Sequence, residues 1–197
     1  MRSAGSERPI TTLRLDGGRP CLDFVNTIHD RVAVTPEDYV ATPERFVAWC
    51  VYAHLLDGQE AGQLRVGLRA MRQIRLFREQ LHALFAARIA GRPEPPQAIA
   101  ELDRWLHRAW NGLELDLGSP QCLSWSKHAV DAYLPVKRIA LSALDVLRDP
   151  ESRRLRQCAS RGSCGWLFFD DTKNRRRRWC AMETCGTAAK MRIYRAR

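Results

Sequence analysis

The sequence predicts a mainly α-helical fold of the α+β class, in which a helical N-terminal domain with a small hairpin precedes a small cysteine-bearing module. Three observations support this prediction. Long segments of the first 150 residues place apolar side chains at helical spacing. Four of the seven cysteines lie within the last 45 residues, and the formal net charge of +10 arises there as well. We therefore divide the chain into residues 1–150 and 151–197, at the turn-forming segment RDPES.

The first predicted element is a hairpin over residues 13–28, LRLDGGRPCLDFVNTI. Asp-Gly-Gly at 16–18 is a turn signal between two short apolar segments. The second segment is expected to run on into a helix or a loop.

Two helices should follow. Thr42 is a suitable N-cap and Pro43 suits the first helical position, which predicts a helix through Phe46 and Trp49. Residues 60–90 predict one long amphipathic helix, ended by GRPEPP. Its arginines are interpreted as a solvated face: Arg65, Arg69, Arg72, Arg75 and Arg78.

The remainder of this domain predicts a shorter helix through Leu102 and Ala109, a strand at 113–117 and an amphipathic helix at 126–148. Pro135 lies inside the last of these. Proline lacks a backbone N–H group, so this helix should be kinked there or should start late.

The cysteines fall into two groups. Cys21, Cys50 and Cys122 are isolated among apolar residues and are expected to be small buried side chains. The others have the spacing C-x5-C, fifteen residues, C-x4-C: Cys158, Cys164, Cys180 and Cys185. Two close pairs separated by a hairpin-length insert predict one structural zinc ion per chain, because four thiolates complete a tetrahedron with no open position.

The insert predicts a strand at 166–169, a turn at 170–174 and a return strand ending at Trp179, with a helix after Cys185. This order is that of a treble-clef zinc finger, and a zinc ribbon is the alternative. Alternation along the return strand would put Arg175 and Arg177 on one face, and Arg176 and Arg178 on the other. One pair would then contact phosphate and the other would support the metal site.

The location of the charge predicts a polyanionic partner. Residues 1–152 carry 19 basic and 19 acidic side chains, whereas residues 153–197 carry 13 and 3. We expect nucleic acid, with DNA favoured over RNA. The candidate contact residues are Arg175, Arg176, Arg177, Arg178, Lys190, Arg192 and Arg195. An RNA-binding or ribosome-associated protein, or a zinc module that docks onto an acidic protein, are the alternatives.

Other classes receive less support. The chain has neither a secretory h-region nor an apolar run of membrane-spanning length, so we expect a cytoplasmic protein without a membrane partner. It has no HExxH, G-x-S-x-G or P-loop pattern, so we expect no enzyme. A small-molecule effector site remains a hypothesis for Asp23, Asn26, Thr27 and His29. A homodimer also remains open.

The segment CASRGSCGWLFFDDTKNRRRRWCAMETCGTAAK resembles the CGNR zinc finger, and CLDFVNT at 21–27 is similar to the opening of the ABATE domain. The resemblance implies a bacterial stress-induced transcription regulator whose metal ligands are the four clustered cysteines. One departure is plain. Positions 185–188 read Cys-Gly-Thr-Ala where the family motif has Cys-Gly-Asn-Arg, so Ala188 lacks a side chain that could contact phosphate.

Overall fold

A computed structural model of the chain describes residues 9–31, 33–160 and 164–195. The helices are α1 Pro20–Val25, α2 Pro43–Tyr52, α3 Gly58–Gln63, α4 Leu68–Ile89, α5 Pro96–Trp110, α6 Leu134–Arg148 and α7 Thr187–Arg195. The strands are β1 Ile28–His29, β2 Glu37–Asp38, β3 Leu113–Leu115, β4 Leu123–Trp125, β5 Leu155–Gln157 and β6 Leu167–Phe169. The strands form three antiparallel pairs, β1–β2, β3–β4 and β5–β6. The mainly α prediction with small hairpins is confirmed.

Prolines and caps define several helix starts as predicted. Thr42 Oγ1 accepts a hydrogen bond from the Arg45 N–H at 3.3 Å, and Pro43 occupies the first turn of α2. Pro135 lies in the first turn of α6, which begins at Leu134. The late start is therefore confirmed, since the missing N–H group of a proline costs nothing in a first turn.

The predicted hairpin over residues 13–28 is wrong, because its second segment is helix α1. Pro20 opens this helix, and the side chain of Asp23 accepts a hydrogen bond from the Gly17 N–H at 2.8 Å. A Cβ on Gly17 would lie 2.8 Å from the Asp23 backbone nitrogen, so the turn approaches the helix too closely for a side chain. The Asp-Gly-Gly turn thus leads into a helix, and strand pairing begins only at β1.

The single long helix over residues 60–90 is also wrong. The capping box of Asp57 and Glu60 starts α3, and Leu64 is extended, with φ −66° and ψ 137°. Its side chain turns into the core, where it is 5% exposed. Gly67 then serves as the N-cap of α4. Burial of Leu64 and the glycine cap explain why the helix is interrupted.

The solvated-face prediction is wrong for Arg78, which is 3% exposed. Its Nη1 and Nη2 atoms each donate to an Asp38 carboxylate oxygen at 2.8 Å, and Nη1 donates to Thr27 Oγ1 at 3.0 Å. A guanidinium buried with this number of acceptors keeps its charge paired. Arg78 thus ties the β1–β2 segment to α4.

Aromatic side chains fill the centre of the helical region. Phe24 of α1 lies 5.6 Å from Trp49 of α2 and 6.3 Å from Phe77 of α4, between ring centroids. Phe77 in turn lies 5.9 Å from Trp105 of α5. All four rings are fully buried. The contacts connect four helices into one core.

The C-terminal hairpin packs against this same core. Leu167, Phe168 and Phe169 of β6 are buried and lie against α1. Asn26 Nδ2 donates to the Leu167 carbonyl at 2.8 Å, and Asn26 Oδ1 accepts from the Leu167 N–H at 2.9 Å. These contacts join the two parts of the chain across the predicted division at residue 150.

Candidate metal centre

The four clustered cysteines converge at one place. Cys158 follows β5 and Cys164 precedes β6, so the connection of this hairpin carries the first pair. Cys180 and Cys185 lie on the path into α7. All four sulfur atoms lie within 4.8 Å of one another. Local folding thus brings together ligands from two ends of the module.

The spacing of the sulfurs fits a tetrahedral zinc ion. Cys180 Sγ lies 3.6 Å from both Cys164 Sγ and Cys185 Sγ. With Zn–S bonds of about 2.3 Å, tetrahedral thiolates lie about 3.8 Å apart. Four sulfur donors, three of them buried, form a closed set that suits structural zinc and offers no open position. The prediction of one structural zinc ion is confirmed to this extent.

Hydrogen bonds among the clustered cysteines shift the pKa values of their thiols. Hydrogen bonding with Cys158 and then with Cys164 raises the pKa of the Cys180 thiol. Hydrogen bonding with Cys164 and then with Cys180 lowers the pKa of Cys158 to about 2. A divalent cation bound at this site would require all four cysteines to lose their protons.

Gly186 completes the turn that carries Cys185. It is buried in a π-helical turn, Met182–Gly186, directly before α7. A Cβ at this position would lie 2.5 Å from Met182 Sδ and 3.4 Å from the Trp179 ring. Ala188, by contrast, is exposed. A side chain at position 186 would therefore displace the Met182 side chain, whereas an arginine at 188 would project into solvent.

The predicted return strand is wrong, because residues 170–179 form a loop, named here the arginine loop. Buried Asp170 accepts hydrogen bonds from the Thr172 N–H at 3.1 Å and hydroxyl at 2.6 Å, and from the Arg177 N–H at 3.0 Å. Arg175 has a φ of 48°. An aspartate that binds nearby backbone N–H groups stabilises a turn in place of a strand. The two-face alternation of the arginines is wrong with it.

Arg177 alone among the four loop arginines turns inward. Its Nε donates to the Trp179 carbonyl and its Nη2 to the Asp16 carbonyl, both at 3.0 Å, and Nη2 also contacts the Cys180 carbonyl. The guanidinium lies 4.5 Å from the centre of the Phe168 ring. Arg177 thus stabilises the backbone at Cys180, one of the four predicted metal ligands.

The other loop arginines face solvent. Arg175 forms an ion pair with Glu151 at 2.7 Å, and Arg178 lies 5.0 Å from the centre of the Trp179 ring. Arg176 is exposed and has no ion pair or hydrogen bond within the described part of the chain. The loop therefore offers at least one cation without an internal partner.

Helix α7 carries the other predicted contact residues. Lys190, Arg192 and Arg195 are exposed, and Arg192 Nη2 donates to Ser160 Oγ at 3.1 Å. No residue of α7 is buried, and Met191, Ile193 and Tyr194 are exposed as well. The helix is thus presented outward from the metal centre.

Sequence reasoning missed Arg156. Its Nη2 donates to the Arg175 carbonyl at 2.7 Å and its Nη1 to the Arg177 carbonyl at 3.2 Å. It therefore supports the arginine loop from strand β5. Strand β5 has three residues and no distinctive pattern, so only the excess of basic residues pointed to this segment.

The four residues proposed for an effector have separate surroundings. Asp23 is buried, and desolvation raises its carboxyl pKa to about 7. Asn26 binds Leu167, and Thr27 Oγ1 donates to the Phe24 carbonyl at 2.7 Å. His29 lines a cavity of about 240 Å³ that Cys164, Cys180 and Cys185 also line. Of the four, His29 is the one that borders this cavity.

No helix within the described residues has the length and apolar character needed to cross a membrane.

The geometry defines a helical protein with a C-terminal zinc finger, and comparison with protein families agrees. Residues 18–150 match the model of the ABATE family, described as "putative stress-induced transcription regulator". Residues 154–197 match the model of the CGNR zinc finger. The chain therefore belongs to the ABATE family and carries a CGNR zinc finger. No curated protein matches the chain.

Proposed function

We propose that this protein is a transcription regulator that binds duplex DNA through its zinc module. The observation that carries the proposal is the exposure of cations around the sulfur cluster. Arg176 and Arg178 face solvent on the arginine loop, and Lys190 and Arg195 face solvent on α7. A metal-clamped scaffold holds such charges at fixed positions, which lowers the entropy lost when phosphates are bound.

The form of α7 favours DNA. The helix has no buried residue and projects basic side chains. An α-helix of about 10–12 Å diameter fits the major groove of B-DNA, which is about 12 Å wide. The deep, narrow major groove of duplex RNA does not admit side chains in this way. RNA binding remains the alternative, and it requires unpaired bases.

The experiment measures binding of the full-length, zinc-loaded chain to duplex DNA at several salt concentrations. If about four to six phosphates are neutralised, the slope of log K against log salt should be about −4 to −5. The triple variant Arg176→Ala, Lys190→Ala, Arg195→Ala should lose about three units of slope. The control Arg65→Ala, Arg69→Ala, Arg104→Ala removes the same charge elsewhere and should retain the slope.

A chain that binds single-stranded RNA more tightly than duplex DNA would favour the RNA alternative. Binding without salt dependence, or no binding at low salt, would contradict the proposal.

A protein partner is the second candidate, and one observation favours it. Met191, Ile193 and Tyr194 of α7 are 46%, 62% and 77% exposed, which is unusual for apolar side chains on one short helix. A second copy of the chain or an acidic protein could cover them. Sedimentation of the zinc-loaded chain without DNA tests self-association. A Tyr194→Ser variant that leaves both sedimentation and DNA binding unchanged would argue against a role of this surface.

A further inference from the structure

A basic cleft lies between the zinc module and the N-terminal helices. It has a volume of about 510 Å³, and five of the side chains that line it are arginines: Arg88, Arg153, Arg156, Arg177 and Arg178. None of the side chains that line it carries a carboxylate. Arg88 and Ile89 belong to the last turn of α4, which lies in the N-terminal region. The cleft is thus built by both parts of the chain.

A second cleft adjoins the first. It measures about 480 Å³ and is lined by Pro150, Glu151, Arg153, Arg154, Arg156 and Arg175. Arg153 and Arg156 line both clefts. The two clefts thus adjoin at these two side chains, beside β5 and the arginine loop. We call this surface the β5 groove.

Hydrogen bonds fix part of the wall of the β5 groove. Arg156 binds the carbonyls of Arg175 and Arg177, and Asp170 binds the Arg177 N–H. The inner guanidinium groups therefore hold the shape of the groove. Arg156 forms an ion pair with Asp170 at 3.8 Å, and Arg175 forms one with Glu151 at 2.7 Å. Arginines nevertheless outnumber carboxylates among the residues that line the two clefts, which leaves a net positive potential.

The groove also has exposed arginine side chains that can contact a ligand. Arg153 is exposed and has no ion pair within the described part of the chain. Arg178 is exposed over the Trp179 ring. Arg88 pairs with Glu94 at 2.8 Å, and the Arg88 side chain is 39% exposed. An exposed pair of this kind is worth at most about 1 kcal/mol, so a phosphate can compete for the arginine.

We infer that the β5 groove, including Arg88 and Arg153, follows the sugar–phosphate backbone of the bound duplex. This inference rests on the proposed function and extends the interface beyond the zinc module to helix α4. An elongated groove rich in arginine fits a chain of phosphates better than a single small anion. Contacts of this type position the protein on the duplex without reading its sequence.

The test uses the full-length, zinc-loaded chain with the double variant Arg88→Ala, Arg153→Ala. Both residues are partly or wholly exposed, and neither touches the sulfur cluster. The matched control is Arg69→Ala, Arg72→Ala, which removes two exposed charges from the other end of α4. Zinc content and circular dichroism of each variant verify folding.

The groove variant should reduce the salt slope by about two units and weaken duplex binding by roughly tenfold or more at about 0.1 M salt, equally on unrelated sequences. The control should bind as the unaltered chain does. The charge-retaining variant Arg88→Lys, Arg153→Lys should keep most of the slope.

An unchanged slope in the alanine variant, with the unaltered chain still binding in a salt-dependent manner, would overturn the groove while leaving the proposed function intact. Equal losses in the groove variant and the control would overturn it too, because the effect would then be one of net charge. No binding by the unaltered chain would overturn both.

Discussion

In the N-terminal region Phe77 and Trp105 lie fully buried against neighbouring helices, whereas in the C-terminal region Asp170 and Arg177 bind backbone groups around a cluster of sulfurs. The first region has enough apolar side chains to form a core by burial alone. The second region has β6 to bury, but its loop and α7 are polar or exposed. We therefore expect a short segment of this kind to fold only with its metal bound.

The two regions nevertheless meet. Leu167 is bound on both its N–H and its C=O by Asn26, and Phe169 donates to the Gly17 carbonyl at 2.8 Å. Arg19 of the N-terminal region forms an ion pair with Asp171 at 2.8 Å. Through these contacts the stability of one region can depend on the other.

The largest expected effect comes from removing a metal ligand. Cys180→Ser should lose zinc and unfold residues 153–197, because apparent zinc binding worth roughly 10 kcal/mol is coupled to the folding of such modules. Metal analysis should fall from about one equivalent per chain. Hydrogen exchange should show loss of amide protection in β5 and β6, with protection retained in α4 and α5.

The prediction that the isolated cysteines are buried is confirmed for Cys21 and Cys50 but is wrong for Cys122, which is exposed. Cys122→Ser is therefore the matched control, since Cys122 also lies outside the cluster. If α4 and α5 also lose protection in the Cys180→Ser chain, the two regions form one cooperative unit and the division at residue 150 fails. A folded module without metal would contradict the structural role of zinc.

Removal of the link between the regions should have the next largest effect. Asn26→Ala leaves the N–H and C=O of Leu167 buried without these partners. Each unpaired buried group costs about 1–3 kcal/mol, so the free energy of unfolding should fall by roughly 2–6 kcal/mol. Denaturant titration of the zinc-loaded chain measures this change.

Asn111→Ala, at an exposed position, should be close to neutral in the same titration. A similar result for Asn26→Ala would mean that water replaces the lost bonds and that the contact does not couple the regions.

The elements that the sequence predicts are those with local signals. Thr42 and Pro43 mark the start of α2, and the spacing of the four cysteines marks the metal centre. The start of α2 depends on neighbouring residues. The metal centre depends on a zinc ion that four clustered cysteines can bind. Pro20 and Gly67 are also local signals, since each marks the start of a helix. The Asp-Gly-Gly turn and the amphipathic pattern around them nevertheless predict a hairpin and a continuous helix.

The arginine loop and β5 depend on contacts across the chain. Arg156 and Asp170 shape the loop from β5 and the end of β6, and Arg88 reaches the β5 groove from α4. Hydrophobic periodicity carries no information about such contacts. The sequence therefore predicts which part of the chain is basic, but not which arginines face solvent and which brace the fold.

The buried carboxyl group of Asp23 should make the stability of the N-terminal region depend on pH. Burial raises the pKa of Asp23 to about 7, above its value of about 3.9 in an unfolded chain. The folded state therefore holds a proton that the unfolded state releases, and stability falls as pH rises through 7. Between pH 6 and pH 8 this group should reduce the free energy of unfolding by about 1.4 kcal/mol.

Asp23→Asn keeps an oxygen that can accept from the Gly17 N–H and removes the titrating group. The free energy of unfolding of the unaltered chain should therefore fall relative to that of the variant by about the same amount between pH 6 and pH 8. Denaturant titration at both pH values measures this difference. The exposed control Asp103→Asn should show no such change. A constant difference for Asp23→Asn would mean that this carboxyl titrates outside the interval.

The smallest expected effect concerns the departure from the family motif at Ala188. Because Ala188 is exposed at the start of α7, Ala188→Arg should add a solvent-facing cation without disturbing Gly186 or the cysteines. We expect duplex binding to tighten by up to roughly 1 kcal/mol, the scale of one exposed ionic contact, with about one further unit of salt slope. Ala100→Arg adds the same charge to an exposed position of α5, remote in sequence from the zinc module, and should leave the slope unchanged. If both variants tighten binding equally, net charge alone explains the gain. If Ala188→Arg changes zinc retention but not the slope, the arginine of the family motif serves the fold, and the zinc-clamped C-terminal region meets that need here by other contacts.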